Sequence, residues 1–247
     1  MAAAHIRRRF IHPPRLFQIS TVTKSYGQQI LRRSASAVNC GGCVQPKLAR
    51  IVAVFGATLG WSALGLQLVL TLAAIGAEGG TILDGVWRYL GYFTIIANLL
   101  AATVLSLALV RPAAPRIEFA AVTTMILVGV VYSLLLRETW DPQGWQKIAD
   151  VALHDFMPLT VAAFWLLRRH GGVGKKEIAA SLILPLTYCA YAMVRGAMDG
   201  WYAYGFLDVT NLGAGAVALN CAGLSLAFLA MAVAMAWVDR VLHYRQV

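Results

Sequence analysis

Residues 92–110 read YFTIIANLLAATVLSLALV and contain no acidic residue, no basic residue and no histidine. A helix that rises 1.5 Å per residue needs about 20 such residues to cross about 30 Å of hydrocarbon. Hydrophobic residues make up 59% of the chain and charged residues only 13%, and the mean hydropathy of +0.66 is unlike that of a soluble domain. The stretch therefore predicts a membrane-spanning helix.

Six segments of the chain share this apolar character. Four of them lack Asp, Glu, Lys, Arg and His, Glu118 lies at the end of another, and one alone carries charge at depth. The predicted spans are 51–75, 89–110, 117–136, 148–167, 178–194 and 212–238. The fifth is short for a membrane helix, at 17 residues. We expect an all-α integral membrane bundle of six transmembrane helices over residues 50–240.

The Lys and Arg residues are distributed unequally between the two ends of these spans. Of the 21, only Arg88, Arg137, Lys147 and Arg195 fall on one side, and the other 17 fall on the opposite side. Cytoplasmic loops carry an excess of Lys and Arg, so both termini are predicted to be cytoplasmic, including a short tail at 241–247. The net charge of +10 indicates affinity for anionic lipid head groups. Without a DNA- or RNA-binding motif it does not indicate a nucleic-acid partner.

Residues 1–49 differ in composition from the rest of the chain. They contain no acidic residue, many Arg and Ser residues, and no periodic apolar pattern. This is typical of a disordered cytoplasmic tail or of a gene start placed too far upstream, and an organelle transit peptide has a similar composition. Cys40 and Cys43 form a lone CxxC, which is weak evidence for zinc or redox chemistry without a second ligand pair. We assign neither a metal nor a cofactor.

Two of the spans contain polar groups that membrane helices rarely bury. Thr94 is five residues into 89–110, and His154 is six residues into 148–167. With cytoplasmic termini both spans run inward, so both residues are expected roughly 8 Å below the outer boundary. An ionisable group inside a membrane helix usually faces a cavity, a partner or a functional site. Asp150, one turn above His154, is placed to hold the imidazole in one tautomer.

Other polar residues near this level have two interpretations each. Asn98 shares a helix face with Thr94, and Asp155 is the immediate neighbour of His154. Arg195 is predicted either to hold an anionic head group or to anchor its helix at the interface. Aromatic residues at the outer ends are most simply an interfacial belt, and they are Trp87, Tyr89, Trp140, Trp145, Trp201, Tyr202 and Tyr204. Pro158 removes the N–H that would bond the carbonyl of His154, which predicts a kink.

Three segments also resemble a known family. They are RYLGYFTIIANLLAA at 88–102, GVVYSLLLRETWDPQGWQKIADVALHDFMPL at 129–159, and PLTYCAYAMVRGAMDGWYAYGFLDVTNLG at 185–213. In order and spacing they are similar to the bacterial branch of a six-helix membrane family whose animal members are the androgen-induced and androgen-dependent TFPI-regulating proteins. The resemblance implies a bacterial inner (plasma) membrane protein.

The resemblance also implies an activity. The animal members are threonine hydrolases that cleave fatty acid esters of hydroxy fatty acids with one Thr and one His, and by position Thr94 and His154 match that pair. The chain departs from the family at Ala203 and Gly205, where two prolines are usual, and at Asp155, where an apolar or aromatic residue is usual.

The sequence therefore supports a hydrolase hypothesis with open alternatives. Thr94 would be the nucleophile and His154 its base. Asp150 or Asp155 would stabilise the imidazolium, and Asn98 is a candidate oxyanion donor. In a second hypothesis the protein is a non-enzymatic lipid-binding protein or a proton-linked transporter, and Asp150, His154 and Asp155 form its cluster. In a third, Thr94 and His154 only hold helices together. Membrane lipids are the expected partners.

Overall fold

The computed structural model describes residues 47–111 and 114–244, and every regular element in these ranges is helical. The α-helices are Lys47–Ala77, Ile82–Tyr89, Phe93–Val110, Pro115–Val131, Trp145–Val151, Met157–Leu166, Lys175–Ser181, Ile183–Asp199, Val209–Leu212 and Ala214–Tyr244. Two π-helical turns, Tyr132–Leu136 and Ala152–Phe156, and a 3₁₀ turn, Gly205–Leu207, complete the set. The Cys40–Cys43 motif and most of the N-terminal tail lie outside the described residues.

Within the described residues, six helices are long and apolar enough to cross a membrane, which confirms the predicted number and order of spans. These spans are Lys47–Ala77, Phe93–Val110, Pro115–Leu136, Trp145–Leu166, Lys175–Asp199 and Ala214–Tyr244. The fifth has 25 residues, rather than the 17 expected. The predicted span was too short because it included only the uncharged run 178–194. The helical segment continues beyond that run to charged residues at both ends, Lys175 and Asp199. The fold fits a multi-pass integral membrane protein.

The second span begins later than predicted. Residues 89–92 do not belong to it, because the short helix Ile82–Tyr89 ends there and the chain turns through Leu90–Tyr92 before Phe93. Thr81 caps that short helix with a reciprocal capping box, in which Asp84 is the partner. Thr94 is therefore the second residue of its helix, and not a residue one and a half turns inside it.

Two glycines bring the first, second and fourth spans into close contact. A Cβ on Gly56 would lie 2.6 Å from Leu105 Cδ1 and 2.7 Å from Thr160 Cγ2. A Cβ on Gly60 would lie 2.8 Å from Met157 Cε. Small residues at such positions let membrane helices approach closely and pack by van der Waals contact. The three helices are consequently packed closely together at this level, and the second and fourth carry Thr94 and His154.

Ion pairs tie the helices at the end of the bundle where the helix termini are rich in Lys and Arg, which we call the basic end. Arg168 contacts Glu118 with N and O atoms 2.9 Å apart, linking the fourth and third spans. Asp239 of the sixth span accepts from His170 at 3.0 Å and from the backbone N–H of Gly171 at 2.9 Å. The third and fourth spans therefore run in opposite directions, and the fourth and sixth run in the same direction. The other end, which carries Thr94 and His154, is called the site end.

The two π turns lie on neighbouring helices at the site end. In the third span Arg137 N donates to Tyr132 O, and in the fourth Met157 N donates to Ala152 O, each across five residues. The fourth-span turn is where the sequence predicted a kink, because Pro158 cannot donate to the carbonyl of His154. A Cβ on Gly129 would lie only 3.3 Å from that carbonyl oxygen, so the third helix packs closely against it. π turns of this kind often occur at functional sites.

Candidate functional site

Thr94 and His154 contact each other directly. The Oγ1 of Thr94 lies 3.2 Å from Nε2 of His154, although the two residues are 60 positions apart in the chain. The two side chains are thus within direct hydrogen-bonding distance of each other. A base must reach the proton that it removes within hydrogen-bonding distance or through one water, and this geometry satisfies that requirement.

The position of Thr94 in its helix adds an electrostatic contribution. Residues in the first turn have backbone N–H groups that lack intrahelical acceptors, and the helix dipole places partial positive charge there. Thr94 N donates instead to the phenol oxygen of Tyr204 at 3.4 Å. Negative charge that develops beside Thr94 would therefore be stabilised by the start of its own helix.

The imidazole of His154 is held from its far side. Its Nδ1 lies 3.1 Å from Oδ1 of Asp150 and 3.0 Å from the backbone oxygen of Asp150. Both are acceptors, so Nδ1 carries a proton, and the lone pair of Nε2 faces the hydroxyl of Thr94 in the neutral ring. Asp150 is itself buried and accepts from the phenol of Tyr132 through its other oxygen. The arrangement Thr94–His154–Asp150 has the order nucleophile, base and orienting carboxylate.

Tyr132 also fixes the plane of the imidazole. The two rings are stacked, with centroids 3.9 Å apart and planes inclined by 16°. The residue follows an apolar run and starts the π turn of the third span. Its role was missed in the sequence because a tyrosine in a membrane helix has no pattern that distinguishes a site residue from a packing residue.

Asp155 does not join this arrangement, although it follows His154 in the sequence. Its carboxylate forms an ion pair with Arg137, whose guanidinium carbon lies 4.9 Å from the centre of the Tyr132 ring. Adjacent residues of a helix point in different directions, so only the residue one turn away can meet the imidazole. The predicted cluster of Asp150, His154 and Asp155 is therefore divided into two pairs.

Asn98 connects the two helices rather than facing the reacting atoms. Its side chain is fully buried, and its amide nitrogen donates to the carbonyl of Thr94 at 2.9 Å and to that of Leu153 at 3.3 Å. Both amide hydrogens are occupied by these contacts. The structure thus places Asn98 as a link behind the site, with no free amide hydrogen for the oxyanion role suggested from the sequence.

Arg195 is buried outside the site. It is only 3% exposed, its Nε lies 3.2 Å from Asp199, and its guanidinium carbon lies 4.5 Å from the ring centre of Trp87 and 4.4 Å from that of Trp201. This stack holds the loop after the fifth span against the short helix that precedes the second. All of these contacts are internal to the protein, so they support neither the head-group nor the interfacial-anchor interpretation of Arg195.

Thr94 and His154 line a cavity of about 440 Å³ at the site end. One wall consists of amide and hydroxyl groups of the first and fourth spans, where Gln146 donates to Gln67 at 2.8 Å. Arg88 contributes a cation to the lining, and its guanidinium carbon lies 4.4 Å from the centre of the Trp201 ring. The polar lining residues are Gln67, Thr71, Arg88, Tyr89, Tyr92, Thr94, Tyr132, Thr139, Gln146, Asp150, His154 and Tyr204.

A second, narrow cavity of about 60 Å³ also borders Thr94. Its walls are apolar and come from the second, third, fifth and sixth spans and from the loop between the last two. We call it the apolar cleft, and it is lined mainly by Phe93, Leu127, Val128, Val131, Pro185, Tyr188, Cys189, Phe206, Leu207, Leu224, Ser225 and Phe228. Thr94, Tyr132, Leu136 and Tyr204 line both cavities. The hydroxyl of Thr94 therefore lies where a polar space meets an apolar one.

No protein-family model, curated protein or solved structure matches this chain. The resemblance to the six-helix family accordingly rests on the three quoted segments, and any activity of this protein has to be argued from the site itself.

Proposed function

We propose that this protein is an integral membrane hydrolase of lipid esters, with Thr94 as the nucleophile and His154 as its general base. The observation that carries the proposal is the Thr94–His154–Asp150 arrangement at the junction of a polar cavity and an apolar cleft. A threonine hydroxyl is a weak nucleophile near neutral pH and needs such a base. A threonine that served only to pack helices would not need an oriented imidazole.

The reaction has two acyl-transfer steps. In the first, Nε2 of His154 takes the proton of Thr94, and Oγ1 attacks the ester carbonyl carbon to form a tetrahedral intermediate. The intermediate collapses when the alcohol oxygen leaves with the proton from His154, so that an acyl-threonine remains. In the second step His154 takes a proton from water, and the hydroxide attacks the acyl carbonyl carbon. Oγ1 of Thr94 then leaves with that proton from His154, which releases the fatty acid and restores the threonine hydroxyl. Asp150 stabilises the imidazolium in both steps.

The two cavities match the two parts of a lipid ester. The apolar cleft suits an acyl chain, because its lining is almost wholly hydrophobic. The polar cavity suits the alcohol part and the attacking water, because amide, hydroxyl and guanidinium groups line it. A bound ester with this orientation would present its carbonyl to Thr94, which borders both spaces.

Filling the apolar cleft should change chain-length preference. Ser225 lines the cleft, and its hydroxyl is already bonded to the carbonyl of Cys221 at 2.7 Å. In Ser225→Trp we expect kcat/KM for palmitoyl esters to fall roughly 10- to 200-fold, while butyryl esters are cleaved almost as before, since a pocket discriminates by size. Leu226→Trp is the matched control, because Leu226 is 66% exposed on the neighbouring face. Equal losses for both esters would contradict the assignment of the cleft.

The non-enzymatic alternatives receive less support from the geometry. The proton-linked or ligand-binding cluster required Asp150, His154 and Asp155 to act together, and Asp155 is paired with Arg137 instead. The direct test of the hydrolase proposal uses purified protein in detergent with a panel of lipid esters, and measures free fatty acid. A folded protein that cleaves none of them would favour a binding or transport role.

We also propose that both termini face the cytoplasm and that the site end lies toward the opposite side of a bacterial inner membrane. The excess of Lys and Arg at the basic end supports this orientation. In a variant without the four native cysteines, a membrane-impermeant maleimide should label Gln143→Cys in intact cells and Lys175→Cys only after permeabilisation. Both residues are exposed, so accessibility to the reagent is matched. The reverse labelling pattern would overturn the orientation.

A further inference from the structure

Ester hydrolysis at Thr94, on which this inference rests, needs a hydrogen-bond donor for the carbonyl oxygen as it becomes negatively charged. Loss of one such donor commonly costs about 100- to 1000-fold in kcat. Two polar side chains beside the site are already occupied. Asn98 donates to two backbone carbonyls, and the phenol of Tyr132 donates to Asp150. A different group must serve.

Tyr204 lies at the required position. It belongs to the loop between the fifth and sixth spans, and it lines the polar cavity and the apolar cleft together with Thr94. Its phenol oxygen accepts from the backbone N–H of Thr94 at 3.4 Å. A phenol this near the backbone of Thr94, in the lining of the same two cavities, is adjacent to any carbonyl that Thr94 attacks.

Tyr204 is held in place by aromatic neighbours. Its ring stacks on Phe206 with centroids 5.2 Å apart and planes inclined by 9°. It meets Tyr92 edge to face at 6.3 Å and Tyr188 at 6.4 Å. Preorganised donors are effective because they do not have to reorient during the reaction. A tyrosine that served only as a membrane-interface anchor would instead extend toward the lipid head groups.

The protonation state of the phenol suits a donor. Burial raises the pKa of Tyr204 above its ordinary value, and the nearby hydrogen bonds from Thr94 only partly offset this. The phenol therefore keeps its proton at neutral pH. Because its oxygen already accepts from the start of the helix, its own O–H is available to a third atom in the space beside Thr94.

We propose that Tyr204 is a catalytic residue, whose phenol O–H donates a hydrogen bond to the carbonyl oxygen of the ester in the tetrahedral intermediate. The dipole of the second span, which begins at Phe93, adds partial positive charge beside Thr94. The site would then have a nucleophile, a base and an oxyanion donor from three separate parts of the chain.

The test compares Tyr204→Phe with Tyr202→Phe in purified protein. Tyr202 is in the same loop, but its ring packs against Gly196, outside both cavities. We expect kcat of Tyr204→Phe to fall about 100-fold or more with KM nearly unchanged, and labelling by a fluorophosphonate to slow in parallel. Tyr202→Phe should behave as wild type. Incorporation of difluorotyrosine at position 204, which strengthens the donor without removing it, should keep or raise kcat even if the phenylalanine variant folds poorly.

The outcomes separate this inference from the proposed function. An active wild type with an equally active Tyr204→Phe overturns the role of Tyr204 alone, as does a variant that changes only KM. If Tyr204→Phe folds poorly, a difluorotyrosine protein that is equally slow also counts against the role of Tyr204. A folded wild type that neither cleaves esters nor reacts with the fluorophosphonate overturns the hydrolase proposal, and the role of Tyr204 is then lost with it.

Discussion

Thr94→Ala is expected to lower ester hydrolysis by at least about 1000-fold, because removal of a nucleophile leaves only the binding and charge contributions of the site. His154→Ala should cause a loss of similar size, since Nε2 of His154 is the group 3.2 Å from the hydroxyl. The double variant should be no worse than either single one, as residues that act as one unit are strongly non-additive. The measurement is fatty acid release by purified wild-type and variant proteins that are folded to the same extent.

The controls for this prediction separate chemistry from folding. Thr187→Ala removes a hydroxyl that is bonded to its own helix at Ile183 and faces outward on the fifth span, so activity should persist. Thr94→Ser keeps the hydroxyl and should keep part of the activity. A fluorophosphonate should attach to wild-type protein at position 94 and not to Thr94→Ala. Hydrolysis in Thr94→Ala at the wild-type rate would exclude Thr94 as the nucleophile, whatever the fold.

Asp150→Asn should lower kcat by roughly 100- to 10⁴-fold, a range that reflects loss of the carboxylate behind the imidazole. An asparagine amide can turn its N–H toward Nδ1 of His154, which would move the ring proton to Nε2 and remove the base from Thr94. The backbone oxygen of Asp150 also accepts from Nδ1 at 3.0 Å. This backbone oxygen should keep part of the imidazole in the active tautomer, which is why the expected fall in kcat begins at only about 100-fold.

Asp155→Asn is the matched control for this change. Both carboxylates are in the same span, but Asp155 pairs with Arg137 and is partly exposed, whereas Asp150 is buried against His154. We expect Asp155→Asn to alter kcat by less than about tenfold, in the range of exposed ion pairs that contribute little. If Asp155→Asn were the more damaging variant, the orienting role assigned to Asp150 would be wrong.

The spans were predictable from sequence because they depend on composition. The matched depth of Thr94 and His154 was predictable because the second and fourth spans cross the membrane in the same direction. Asp150 was predictable as the partner of His154, since residues one helical turn apart share a face. The start of the second span was not, because the turn before it depends on packing. Gly91, for example, lies where a Cβ would be 2.1 Å from Nη1 of Arg195, and that contact crosses about a hundred positions.

The aromatic residues were the hardest part of the site to predict. Tyr204 has the composition and location of an interfacial anchor, and nothing local distinguishes it from Tyr202. Only the folded chain brings its oxygen to the amide of Thr94. The two arginines near this loop were equally hard to tell apart. Arg88 and Arg195 both lie 4.4 Å from the centre of the Trp201 ring, but only Arg88 lines the polar cavity.

The link made by Asn98 has a mechanical consequence. One amide holds the carbonyls of Thr94 and Leu153, so the spacing of the second and fourth helices is fixed at the depth of the reacting atoms. Membrane helices tilt when bilayer thickness or lateral pressure changes. A tilt between two rods joined at one point pivots about that point, and displacement grows with distance from it. We therefore expect Thr94 and His154 to lie in a part of the bundle that moves little as the surrounding membrane thickens or thins.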